Sequence, residues 1–211
     1  SINSESREKY FATLHEAEKI INDNSAVAAH AKAQYQIAIT LDEIRDLYNQ
    51  DIISHGRIMG LESSMLIKEL RFAGYNLELS TRTGLYLAHL QYYREAIRLE
   101  PKAAFGDHAR YMLLKSHFYD SFSDDPMAPI SQSKEVLSEM LAIAESLLAA
   151  KDPAISAEEV RFILAIHYLQ GIDQNIIEKD QGRKKFNNIL QGLRKDYPQS
   201  LKPLPLEALA Q

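Results

Sequence analysis

The sequence predicts an all-α protein, an α-solenoid of antiparallel helical hairpins with about eight helices, and three observations predict it. One short arrangement recurs: a helix end, a break, then a helix entered through an aromatic residue. From Ile20 to Tyr35, Ile97 to Tyr111 and Leu147 to Phe162 the separations are 15, 14 and 15 residues, the near-fixed step expected of stacked helical hairpins. Eight glycines and seven prolines in 211 residues leave long windows of good helix formers between them. Strand signals are nearly absent, and 45% hydrophobic with 25% charged residues is the balance of a folded chain that has a core.

Each element follows from its pattern. Over residues 4–22, Tyr10 or Phe11, Leu14, Ala17 and Ile20 or Ile21 form one stripe at helical spacing. Asp23 ends it, and Asn24 or Ser25 offers the next N-cap. A second helix runs to about residue 49 on Ala28, Ala31, Tyr35, Ala38, Leu41 and Ile44. Residues 51–80 carry Gly56, Gly60 and Gly74 and predict a single helix without a sharp start. A long helix is expected over 81–100, closed by Pro101. The next, over 104–122, is apolar on two sides, as a helix held between neighbours is. The clearest loop is 123–129, with Ser131 or Ser133 to cap the helix beyond it. Helices over 130–150, 157–170 and 175–196 complete the set. The tail 197–211 is Pro-rich and ends regular structure apart from a turn at 206–209. The chain reads as one domain over 1–211.

Composition narrows the function. A formal charge of -5 with both signs interspersed disfavours a nucleic-acid partner, and residues 4–24 lack the excess of basic groups that a recognition helix needs. The absence of cysteine removes disulfides, thiolate nucleophiles and Cys-ligated metals. No window approaches a membrane span. Ser1 and the polar run after it show neither an initiator Met nor a signal peptide, which is read as a trimmed end, left by removal of an export leader or by cloning.

No arrangement names a reaction. None of the seven histidines falls in a His-Glu-x-x-His or Glu-x-x-His spacing. His117 and Asp120 lie one turn apart with Asp124 a turn further, which offers at most a weak divalent site, since metal sites normally need more convergent ligands; no metal is expected. Nucleophile elbow, phosphate loop and dinucleotide fingerprint are missing, so no enzyme and no cofactor is expected. Arg183-Lys184-Lys185 reads as a solvated helix face.

At Tyr92-Tyr93-Arg94-Glu95-Ala96-Ile97-Arg98-Leu99-Glu100-Pro101 the chain resembles the second helix of a tetratricopeptide repeat, with Tyr93 at the aromatic site, Ala96 at the small-residue site and Pro101 at the closing proline. Val160 to Gly171 is similar to a first helix of such a repeat, with Leu164, Ala165 and Tyr168 at its hydrophobic, small and aromatic sites. Phe186 to Leu190 followed by Tyr197-Pro198-Gln199-Ser200 resembles the variant found in bacterial envelope members. The resemblance implies a right-handed superhelix whose concave face binds a protein or peptide, that is, a scaffold or adaptor in the periplasm or cell envelope. It also implies that His108, Tyr111, Lys115 and Phe118 face inward as partner-binding residues, mixing cations and rings suited to a peptide's carboxylates and apolar side chains. The competing account makes Tyr111 and Phe118 core. The alternative function is a helical small-ligand-binding or accessory protein for an envelope transporter or enzyme. Homo-oligomerisation is left open.

Overall fold

A computed structural model describes residues 4–23, 26–55, 61–75, 77–79, 86–88, 90–120 and 133–209. Among them are nine helices and one two-stranded antiparallel ribbon. The chain separates into two compact units, Ser1–Ala109 and Arg110–Gln211.

The first unit holds α1 (Ser4–Asn22), α2 (Val27–His55), α3 (Leu61–Phe72), β1 (Leu77–Leu79), β2 (Tyr86–Ala88), α4 (Gln91–Leu99) and the first turn of α5 (Gly106–Asp120). Its centre is α2, against which α1, α3, α4 and β2 pack. Leu14, Ala17, Ala33, Ile37, Leu41, Ile44, Leu66, Ile67 and Leu70 form one continuous core with Tyr75 and Leu77. Burying a leucine or isoleucine of this set contributes about 1.5–3 kcal/mol, which is why the helical stripes read from sequence end up facing one another. Arg7 of α1 is ion-paired with Glu69 of α3.

The end of α3 shows local chemistry setting a boundary. Gly74 adopts φ +94°, a left-handed value that costs a side-chain-bearing residue and suits glycine. Its N–H then bonds the Arg71 carbonyl at 3.1 Å, and the Tyr75 N–H bonds the Leu70 carbonyl at 2.9 Å. Leu70 and Tyr75 are both buried, supplying the apolar contact that accompanies this type of helix ending.

The segment after it departs from the sequence reading. Instead of one helix over 81–100, β2 pairs with β1, placing Leu77 opposite Ala88, Glu78 opposite Leu87 and Leu79 opposite Tyr86, and α4 begins only at Gln91. The ribbon satisfies backbone groups by pairing across strands and packs on α2. Gly56, Gly60 and the loop at 123–129 lie outside the described residues.

The second unit holds the rest of α5, then α6 (Lys134–Ala150), α7 (Ala157–Asp173), α8 (Lys179–Asp196) and α9 (Pro203–Leu209). Its centre is α7. Ile163, Leu164, Ala165, Ile166, His167 and Tyr168 are buried one after another, so the helix is enclosed on every side. It packs on α6, α8 and α9, and Phe118 of α5 meets it edge-on at Phe162. Serine caps fix two starts: Ser133 accepts from the Val136 N–H at 3.3 Å and Ser156 from the Glu159 N–H at 3.2 Å.

Two ends differ from expectation. α8 starts at Lys179 because Glu178 caps it, accepting from the Asp180 and Gln181 N–H groups at 3.0 and 2.8 Å. The tail forms α9, whose first helical residue is Pro203. At that position a missing N–H costs nothing and a fixed φ helps. Pro203 and Leu206 are buried. No helix among the described residues is long and apolar enough to cross a membrane.

Candidate functional site

The four residues that the sequence singles out lie on α5 and meet different surroundings. His108 sits in the first turn, within the first unit. Its Nδ1 is 2.6 Å from the Tyr35 hydroxyl, and its ring stands edge-on to Tyr35, which in turn stacks on Phe105 with centroids 4.7 Å apart. Deeper in the same unit Tyr93 donates to Asp42 at 2.5 Å. Burial, then the Asp42 charge, raises that phenol's pKa, and Arg45 lies 3.3 Å from the other Asp42 oxygen. His108 thus borders a polar cluster whose groups bond one another.

Tyr111, Lys115 and Phe118 belong to the second unit. Phe118 is 2% exposed, with Phe162 and His167 both edge-on to it, so its ring offers no surface to a partner. Tyr111 and Lys115 are half-buried. One helical turn apart, they form a pair in which the ammonium lies 5.2 Å from the ring centroid.

Around that pair the structure gathers groups absent from the sequence reading. Tyr119, 49% exposed, donates to Glu159 on α7. Lys202, from the turn before α9, donates to the other Glu159 oxygen at 3.1 Å and lies 6.0 Å from the Phe162 centroid. Burial alone would raise the Glu159 carboxyl. Hydrogen bonds from Tyr119 and Lys202, with the charges of Lys202 and Lys115, outweigh it and hold the group below its ordinary value. The Tyr111 phenol is raised by burial and then by the Glu159 charge.

The face therefore has a hub carboxylate, two lysines and three rings drawn from α5, α7 and the α9 turn. Lys202 is 43 residues from Glu159 and Tyr119 is 40. No local spacing announces such a cluster. Chemically it presents hydrogen-bond donors and rings of the kind that suit carboxylates, carbonyls and apolar side chains, held on helices. The basic triplet at 183–185 divides, with Lys185 paired to Glu145 at 2.8 Å and Arg183 and Lys184 exposed. No group of three or more metal-ligating side chains occurs among the described residues.

Fold and face together define a helical protein of two units. No family model, curated protein or solved structure matches the chain.

Proposed function

We propose that the protein is a non-enzymatic, tetratricopeptide-like adaptor that takes a protein or peptide partner on the face of its second unit carrying Tyr111 and Lys115. The observation that carries the reading is the Tyr111–Lys115 pair. It is half-buried, so its groups are pre-positioned at low entropic cost, yet it still faces solvent beside Tyr119, Glu159 and Lys202. A tyrosine held this way is a usual anchor of an interface, and the lysine beside it supplies charge complementarity. The arrangement of α7 supports the repeat reading: a central helix with one hairpin partner on each side, receiving an aromatic from a preceding helix, is what consecutive hairpins produce when each covers apolar surface its neighbour cannot hide.

The partner's chemistry is set by Lys115, whose ammonium meets a ring and acts on Glu159 through space. An incoming carboxylate beside an apolar side chain suits it. An array of acidic peptides that also carry aromatic or leucine side chains, probed with the wild type and with Lys115→Glu, tests this. The wild type should retain a subset that the variant binds about tenfold more weakly or worse. Absence of binding, or equal binding by both, overturns the reading.

A further inference from the structure

The groove between α1 and α2, on the first unit, is a second surface with a different chemistry. It has a volume of about 440 Å³. It is lined by the buried Ala17 and Ala33, the half-buried Ile20, Ala29, Thr13 and Gln36, and, at its exposed rims, Glu16 of α1 and Lys32 of α2. Ala17 and Ala33 are each 3% exposed, and their small side chains bring the two helices close while leaving a trough above them. Glu16 and Lys32 are exposed and make no ion pair with any described residue. With only residues 23–26 joining them, the two helices run antiparallel.

We infer that this groove seats a second copy of the chain, two α1–α2 hairpins meeting across a two-fold axis parallel to the helices to make an antiparallel four-helix bundle. The rims decide the partner and the orientation. Rotation about such an axis lays α1 on the partner's α2 and keeps each residue at its own height. Glu16 then meets the partner's Lys32, and Lys32 meets the partner's Glu16, an isologous contact made twice. Laying α1 on the partner's α1 would oppose like charges and align no complementary pair. Neighbouring helices in the favoured arrangement are all antiparallel, as helix dipoles prefer. Lys9, seven residues before Glu16, and Glu43, eleven after Lys32, return to the same helix faces with the signs reversed, so the complementarity continues along the bundle.

The size of the contact places it among the weaker classes of interface. The 19 residues of α1 span about 28 Å, and two helices side by side are about 20 Å wide, giving a footprint of about 550 Å² per copy. That is below the size of stable permanent interfaces, as expected of a reversible dimer whose association is sought from about micromolar concentration upward.

Sedimentation equilibrium of the full chain, from low micromolar to submillimolar concentration, should show a monomer–dimer equilibrium. Glu16→Lys and Lys32→Glu each set like charges against one another twice. Each should weaken self-association by about tenfold or more, with unchanged circular dichroism because neither side chain has a partner among the described residues. Mixed together, the two variants restore both pairs and should form a one-to-one heterodimer. A wild type that stays monomeric throughout overturns the inference and leaves the groove to some other occupant. So does a dimer that both variants form as readily as the wild type, or a mixture that associates no better than its components.

Discussion

The Tyr168 phenol of α7 donates a 2.6 Å hydrogen bond to the Glu145 carboxylate of α6, and Lys185 of α8 donates to the same oxygen at 2.8 Å. One carboxylate thereby ties three helices. The Tyr119–Glu159–Lys202 cluster is built on the same plan, a glutamate between a phenol and an ammonium from separate elements. The two differ in what else is present: beside Glu159 stands the Tyr111–Lys115 pair, whereas at Glu145 the lysine itself lies 5.0 Å from the Tyr168 centroid and closes the arrangement.

Removing the two ends of the Tyr168–Glu145 bond should have unequal costs. Tyr168 is 4% exposed, while the Glu145 side chain is 46% exposed. Tyr168→Phe leaves a carboxylate that water and Lys185 still solvate, and should cost about 1 kcal/mol. Glu145→Ala strands a phenol in a largely buried site and should cost more, about 1–3 kcal/mol. Urea denaturation of both variants gives the comparison. A larger loss for Tyr168→Phe would contradict the assignment of burial to the phenol end.

His167 gives the second unit a pH dependence. It is fully buried, its Nδ1 lies 2.8 Å from the Gln170 amide oxygen, and its Nε2 is buried without a hydrogen-bond partner among the described residues. Burial pushes its pKa down from 6.5 to about 4, against an opposing contribution from Gln170. The folded state thus holds the neutral ring where the unfolded chain would already be protonated. Between pH 6.5 and 4 the unfolded state binds more protons, so stability falls as pH falls across that window and levels off below it. The loss is on the order of 3 kcal/mol. His167→Phe should remove this component, flattening the urea midpoint between pH 7 and 4.5 relative to the wild type. An unchanged slope would mean that other groups carry the acid sensitivity.

Helix interiors and several ends were legible because their signals are local. Ser133 caps α6 as its position suggests, and Leu14, Leu41 and Ile44 reach the core that their spacing demands. The ribbon was not legible, since three residues per strand are too few to show a period of two. The start of α8 was missed because Glu178 caps it, a residue type outside the usual capping set. At the candidate site, Tyr111 and Lys115 could be found as neighbours one turn apart. Glu159 and Lys202 could not, because their contact is made by packing α9 onto α7 rather than by any spacing along the chain.

Lys151 closes α6 in the left-handed conformation at φ 55°, ψ 34°. A residue with a Cβ is strained there by roughly 1–2 kcal/mol, and glycine is the usual occupant. Lys151 is exposed, so little packing is lost on replacing it. Lys151→Gly should stabilise the protein by about 0.5–1 kcal/mol once the greater freedom of glycine in the unfolded chain is counted. Lys151→Val should destabilise it, a β-branched side chain fitting that region least well. Paired thermal melts, with Gly above and Val below the wild type, would establish the sign.

Two glycines of α8 should respond in opposite directions to the same change. A Cβ on Gly182 would lie 2.6 and 2.7 Å from Ile172 Cγ1 and Cδ1 and 3.2 Å from Ile177 Cγ2, within a turn that folds back on Gly171 through the Ile176 and Ile177 N–H groups. Both isoleucines are half-buried, so they yield only by giving up packing, and overpacking of this kind costs about 1–3 kcal/mol. Among the described residues, a Cβ on Gly192 would meet only Arg161 Nη1, at 3.7 Å, an ordinary contact with a long side chain. Alanine gains about 1 kcal/mol over glycine inside a helix. Gly192→Ala should keep that gain and stabilise the protein, while in Gly182→Ala the clash should outweigh it and leave a net loss of about 1 kcal/mol. Ile172→Ala tests the cause. Combined with Gly182→Ala it should cost less than the sum of the two single changes, because the atoms being struck are gone. Additive costs would instead place the strain in the backbone of the turn.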